Sequence, residues 1–239
     1  MNPFTQVWVY LEESPLLWLA VTVGVYWLTQ QLYRLSGHFA LLNPVLVSVA
    51  VLVCVLAATG TPYHVYFDGA QFIHFLLGPA TVALAVPLVR QARELRRLWL
   101  PITVALLAGS TTAVVSALAI GWTLGLTPET LLSMLPKSAT TPIAMGVADK
   151  IGGLPSLTAV LVIVTGIIGA VIGIPLLRAL GVRDPVALGF AMGVSAHGVG
   201  TARAFEHNDQ AGAYSGLGMG LNGALTAIII PPIVWLFGF

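Results

Sequence analysis

Read for charge alone, the chain is a series of long uncharged runs parted by short charged ones. Residues 14–33, 35–67, 69–89, 98–128, 151–177 and 210–239 contain no Asp, Glu, Lys or Arg. Each reaches the ~20 apolar residues that a membrane-crossing helix needs. Two shorter stretches lie among the later runs. Residues 130–148 are interrupted by Lys137, and residues 185–202 hold Gly189, Gly193, Gly198 and Gly200. The runs are apolar at both odd and even positions, without the alternation of a membrane β-barrel strand. The pattern predicts an all-α, polytopic integral membrane protein. It has about six full spans plus two broken or re-entrant segments, built as a single transmembrane domain over residues 1–239.

Composition excludes the main alternatives. The chain is 57% hydrophobic and 8% charged, with a mean hydropathy of +0.93, against about 25% charged residues in a soluble domain. It is too apolar for disorder. A net charge of +1 without a basic stripe argues against a nucleic-acid partner. The single cysteine, Cys54, rules out an internal disulfide or a cysteine metal site and reads as a small buried hydrophobe. No metal, no cofactor and no enzymatic activity are expected, because no zinc-protease, nucleophile-elbow or phosphate-loop motif occurs.

The charges between the runs orient the chain. Glu12 and Glu13 precede the first run and Arg34 follows it. No basic segment comes before, so no cleavable signal peptide is expected. The positive-inside rule then sets Arg34 in the cytoplasm and the N-terminus outside. Thr59 to Asp68 has no Lys or Arg and falls outside, with Asp68 capping the helix that starts there. Arg90, Arg93, Arg96 and Arg97 return the chain to the cytoplasm.

Two segments resemble each other at a spacing of about 57 residues. Leu100-Pro101 leads to Leu124-Gly125-Leu126-Thr127-Pro128 and on to Ser138-Ala139-Thr140. Leu154-Pro155 leads to Leu180-Gly181-Val182-Arg183-Asp184-Pro185 and on to Ser195-Ala196-His197. Each reads as a long apolar helix, a turn and a polar segment broken by Gly or Pro. If residues 130–148 re-enter rather than span, Arg178 and Arg183 return to the cytoplasm and the two units form an inverted repeat, a transporter signature.

The broken segments are where chemistry is expected. In Leu135-Pro136-Lys137-Ser138-Ala139-Thr140-Thr141-Pro142, Pro136 and Pro142 cannot share one unbroken helix. Non-helical backbone at membrane depth survives only when buried in protein or lining a cavity. A helix restarting near Pro142 offers an anion-favouring N-terminus, Lys137 adds positive charge, and Ser138, Thr140 and Thr141 add hydroxyls. An intramembrane ionisable residue is by default a functional candidate. In Ser195-Ala196-His197-Gly198-Val199-Gly200-Thr201-Ala202-Arg203, Gly198 and Gly200 permit a break. His197 is a coupling-proton candidate, and Arg203 suits a carboxylate unless Glu206 occupies it. Asn43-Pro44 and Gly78-Pro79 are further helix-break positions, with Asn43 a polar group near the site.

These same residues carry a resemblance. Phe39 to Pro44, Tyr66-Phe67-Asp68-Gly69 with Leu77-Gly78-Pro79-Ala80, the Lys-Ser-x-Thr-Thr-Pro run at Lys137 and the His-x-x-Gly-Thr-Ala-Arg run at His197 are similar to the LrgB/CidB family of bacterial membrane proteins. The match covers nearly the whole chain and shows no departure at these positions. The resemblance implies two functions. One is an antiholin-like regulator of murein hydrolase activity and autolysis, acting with a small LrgA/CidA-type membrane partner. The other is transport of a small carboxylate, since the family's plastid glycolate/glycerate transporter is such a carrier. The plastid form has an additional partner-like N-terminal domain not seen here, so a separate partner is expected. Lys, His and Arg beside broken helices favour a carrier of glycolate, glycerate or pyruvate. Its binding residues are Asn43, Lys137, Ser138, Thr140, Thr141, Ser195, His197, Thr201 and Arg203. Small-residue faces point to a homo-oligomer in contact with lipid.

Overall fold

The structure, a computed structural model, describes residues 14–37, 39, 42–83 and 92–237. Glu12, Glu13 and Arg90, on which part of the orientation argument rests, lie outside them, as does the segment read for a signal peptide. The described residues form helices joined by turns and contain no strand. They fall into two compact units, residues 1–83 and 84–239.

The first unit holds α1 (Pro15–Leu35), α2 (Pro44–Thr59) and α3 (Tyr63–Ala83). Trp18 of α1 is fully buried and meets Tyr66 of α3 edge to face, with centroids 5.8 Å apart. Gly69 allows that approach, because a Cβ there would lie 2.8 Å from the Trp18 Cβ. Thr29 of α1 bonds Ser48 of α2 at 2.7 Å, a hydroxyl pair buried between the two helices.

Several expectations for this unit are corrected. Asn43-Pro44 does not kink a span. Asn43 Oδ1 accepts from the N–H of Val45 (3.0 Å) and Leu46 (3.3 Å) and caps α2, with Pro44 in the first turn, where its missing donor is harmless. The uncharged run 35–67 is divided, because Gly60 (φ 72°) ends α2. The next helix starts at Tyr63, so Asp68 lies inside α3 and caps nothing. Gly78 and Pro79 do not interrupt α3, which continues to Ala83. Cys54 is exposed on α2 rather than buried.

The second unit holds α4 (Ala92–Arg97), α5 (Trp99–Thr123), α6 (Pro128–Met134), α7 (Thr141–Ile151), α8 (Pro155–Ala179), α9 (Pro185–His207) and α10 (Asp209–Phe237). Among the described residues, α5, α8 and α10 are long and apolar enough to cross a membrane. The chain is a multi-pass membrane protein.

The repeat is visible in local structure. Both α5 and α8 have 25 residues. Each is followed by a left-handed glycine, Gly125 (φ 69°) and Gly181 (φ 83°), which a Cβ would strain. Each turn then gives a cap and a proline. Thr127 accepts from the N–H of Thr130 ahead of Pro128, and Asp184 accepts from that of Ala187 ahead of Pro185.

Both segments that follow fold back on themselves. In the first hairpin, α6 and α7 are separated by a turn over residues 135–140. Ser133 Oγ accepts from the Leu154 N–H at 2.8 Å and Ser133 O from Thr158 Oγ1 at 3.0 Å. Leu132, Leu135, Val147 and Ile151 share one apolar cluster. The end of α7 has therefore returned beside α6, which also sets Leu126 and Lys150 at one end of the unit.

The second hairpin is α9 itself. Helical geometry fails at Ala196 (φ −126°, ψ 16°) and His197 (φ 40°, ψ −132°). On the outward arm, Met192 and Ala196 pack against Gly173 and Gly169 of α8. On the return arm, Gly200 lies against Met192 and Ala196, and Ala204 joins the cluster of Leu188 and Met192. The arm ends with His207 Nε2 3.2 Å from Arg178 Nη2, beside the end of α8 from which the chain set out.

The hairpins thus open at opposite ends of α8, the first at Leu154 and Thr158, the second at Arg178. α10 runs past both. Its first half packs on the outward arm of α9, where Gly189 and Gly193 meet the main chain at Ala211 and Ser215. Its last turns, at Ile230 and Val234, join the core of the first hairpin.

Candidate functional site

The hairpin tips meet halfway along the long helices. In the first tip, Pro136 follows the end of α6, and the turn is held by Lys137 N–H to Met134 O (3.2 Å) and Ala139 N–H to Pro136 O (2.9 Å). The chain restarts as a helix at Thr141, with Thr140 as N-cap and Pro142 in the first turn, as the proline spacing predicts. Thr140 makes no side-chain cap bond. The hydroxyls of Ser138, Thr140 and Thr141 bond to no other described residue. They surround an α7 N-terminus whose first N–H groups have no helical partner.

Lys137 is half-buried. Its Nζ reaches into the middle of α5 and donates to Ala113 O at 3.4 Å, so it does not extend to a helix end. The ion pair found among the described residues is Arg203–Glu206. Lys137 faces a main-chain carbonyl, not a carboxylate.

In the second tip, His197 is 5% exposed. Its Nε2 lies 2.9 Å from Val162 O of α8. A carbonyl only accepts, so Nε2 carries the proton in this bond. Thr201 Oγ1 donates to His197 O at 2.8 Å and bonds Ser215 Oγ of α10 at 2.9 Å. The break lies at Ala196–His197, not at Gly198 or Gly200 as the glycines suggest. Gly200 is required for packing instead, since a Cβ there would lie 2.7 Å from Met192 O.

His197 is the one non-glycine residue with positive φ among the described residues. Such a conformation costs about 1–3 kcal/mol and persists where surrounding bonds over-determine it. His197→Gly is therefore expected to be more stable than His197→Ala by about 1 kcal/mol, the reverse of the usual helical order. Thermal unfolding of the two variants in detergent checks this; an Ala variant at least as stable as the Gly variant would remove the strain.

The other expected residues are distributed as follows. Ser195 is exposed and its hydroxyl bonds Ala191 O at 2.7 Å. Arg203 lies six residues beyond His197 on the return arm, bound to Glu206 at 3.0 Å. Six residues of helix set it about 9 Å further along the arm, towards Arg178. Asn43 belongs to the first unit, where its side-chain oxygen is used as a cap.

The residue that joins the tips is one that the sequence pattern does not mark. Asn222, in the middle of α10 and 1% exposed, donates from Nδ2 to Ser138 O and to Val194 O, each at 3.1 Å, and accepts from Ser110 Oγ of α5. Its only sequence signal is an amide in the middle of an uncharged run. Beside it lies a cavity of about 490 Å³ with apolar walls. Ser110, Thr111, Ser138, Asn222 and Thr226 supply its polar lining. That is the range of small-molecule sites, which combine apolar walls with few polar groups. No group of three or more His, Cys, Asp or Glu able to hold a metal occurs among the described residues.

Comparison with known proteins gives one consistent answer. Residues 22–236 match the model of the LrgB-like family. An uncharacterized protein of Haemophilus influenzae is 35% identical over 223 residues, covering 93% of this chain and 96% of that one. The uncharacterized protein YxaC of Bacillus subtilis is 35% identical over 219 residues, covering 92% and 95%. The antiholin-like protein LrgB of Bacillus cereus is 30% identical over 225 residues, covering 94% and 98%. No solved structure matches.

Proposed function

The chain belongs to the LrgB-like family, and on that premise we propose that it carries small monocarboxylates such as glycolate, glycerate or pyruvate across the bacterial inner membrane. The observation that carries this reading is Lys137. A charge taken out of water costs several kcal/mol unless it is paired, and here its neighbour is a carbonyl. A carboxylate at the first tip supplies the missing counter-charge. The hydroxyls of Ser138, Thr140 and Thr141 and the N-terminus of α7 complete an anion site. Ser195, His197 and Thr201 line the opposing tip, with His197 the coupling-proton candidate. Arg203 lies further from the ligand's charge, as the partner of Glu206, and Asn43 serves the first unit as a helix cap.

The charge distribution orients the carrier. Arg97, Arg178, Arg183, Arg203 and His207 cluster where the second hairpin opens, whereas Glu129, Asp149 and Lys150 mark the end where the first one opens. The positive-inside rule makes the arginine end cytoplasmic. The hairpins then enter from opposite faces of the membrane, the arrangement of inverted-repeat carriers. Taken by itself, the first unit has Arg34 in the last turn of α1, and the same rule makes that end cytoplasmic and the start of α1 external.

The test is uptake of labelled glycolate, glycerate and pyruvate into liposomes containing this chain alone, with and without a pH gradient. Saturable uptake is expected for at least one of them, and a pH-gradient dependence lost in His197→Ala identifies the proton route. A second reading rests on the name antiholin-like protein LrgB carried by relatives. It makes the chain a regulator of autolysis through an LrgA-type partner. Uptake absent both alone and with such a partner, from folded protein, would favour it.

A further inference from the structure

Asn222 binds three separate parts of the unit at once. Ser138 O belongs to the first hairpin, at the point where α6 has ended and α7 has not begun. Val194 O belongs to the second, in the last turn before the reversal at Ala196–His197. Carbonyls at such positions lose their helical donors. One amide nitrogen, which carries two hydrogens, serves both. We propose that Asn222 is a positioning residue that clasps the two hairpin tips together, so that the site opens to either side only as one of its two donor bonds breaks.

The proposal rests on the carrier reading and deepens it. When one tip withdraws, a carbonyl and an amide hydrogen are left unpaired in apolar surroundings, which is unfavourable. The other bond still holds its own tip in place. Withdrawal of both tips leaves twice as many groups unpaired. A single amide therefore opposes the one state that a carrier must avoid, in which both faces are open together. The hydroxyl of Ser110 occupies Oδ1, and the two tip bonds come from the amide nitrogen.

The test uses chemical labelling and needs no transport, so failure of the clasp and failure of the carrier reading are distinguishable. In a Cys54→Ser background, Ser138→Cys reports on the first hairpin. Ser215→Cys, fully buried against Thr201, reports on the second. Maleimide labelling rates are measured on purified protein in detergent. Asn222→Leu, close in volume but without donors, is expected to raise both rates about tenfold, and Asn222→Asp, which keeps shape and an acceptor, is expected to do the same. Ser110→Ala removes the third bond of Asn222 and spares the two tip bonds, and both rates are expected to stay within about twofold of the parent. Unchanged rates in the Asn222 variants would overturn the clasp. An equal rise in Ser110→Ala would overturn it too, because loose packing around the amide would then account for the effect. Should Asn222→Leu not elute as a single folded species, Asn222→Asp decides.

Discussion

Lys137→Met is expected to abolish saturable carboxylate uptake while leaving the protein as stable as before, or more so. Methionine keeps the unbranched stem that crosses to α5 and loses the ammonium. What disappears is the positive charge and one hydrogen bond to Ala113 O. Removing one partner of a buried, hydrogen-bonded charge pair costs about 2–5 kcal/mol, and each 1.4 kcal/mol is about tenfold in affinity. A loss of at least about thirtyfold follows from the lower bound. Stability moves the other way, because a buried charge lacking a counter-ion destabilises the ligand-free protein. Uptake kinetics and thermal unfolding of the same preparation give both readings. Uptake equal to wild type would remove Lys137 from the site. Lost uptake with collapsed stability would make the residue structural.

The largest effect on stability is expected at Gly193. Its Cβ position falls on the main chain of α10, at the Ser215 carbonyl and 2.9 Å from the Met219 nitrogen. Main-chain atoms within a helix cannot rotate away. Gly193→Ala must therefore separate α9 from α10, and overpacking of this kind is expected to destabilise by about 3 kcal/mol. Intrinsic propensity acts in the opposite direction, since alanine favours helix by about 1 kcal/mol over glycine. Gly220→Ala is the control, because no atom lies within 4 Å of its Cβ position. Thermal unfolding in detergent is expected to show a clear loss for Gly193→Ala and no loss for Gly220→Ala. Equal midpoints would mean that the two helices do not approach so closely.

The helical membrane character was legible because hydrocarbon solvent imposes one rule along the whole chain: apolar side chains outside and satisfied backbone inside. The first tip was legible for a related reason. Pro136 and Pro142 cannot lie in one helix, so a break with a restart at Thr141 follows from covalent chemistry alone. The reversal at His197 was only half legible. Gly198 and Gly200 marked the region, but the turn sits on a histidine held by Val162 O and Thr201, and long-range bonds leave no local pattern. Asn43-Pro44 was misplaced because a proline in an uncharged run can either kink a helix or start one. Asn222 escaped because its importance comes from bonds to residues 28 and 84 positions away in sequence. The fold-back of both hairpins likewise depends on Ser133 meeting Leu154 and on Arg178 meeting His207, pairings that periodicity does not encode.

The position of α10 in the chain also orders biosynthesis. α5 to α9 leave the ribosome first, yet the main chain at Ser138 and Val194 finds its partner on a helix made after them. Until α10 is inserted, two interrupted segments carry polar backbone into lipid with no donor to meet it. Neither hairpin can reach its final form by vectorial insertion. The last helix completes both hairpins, and a chain that ends before residue 209 is expected to leave the carbonyls of Ser138 and Val194 without their amide partner.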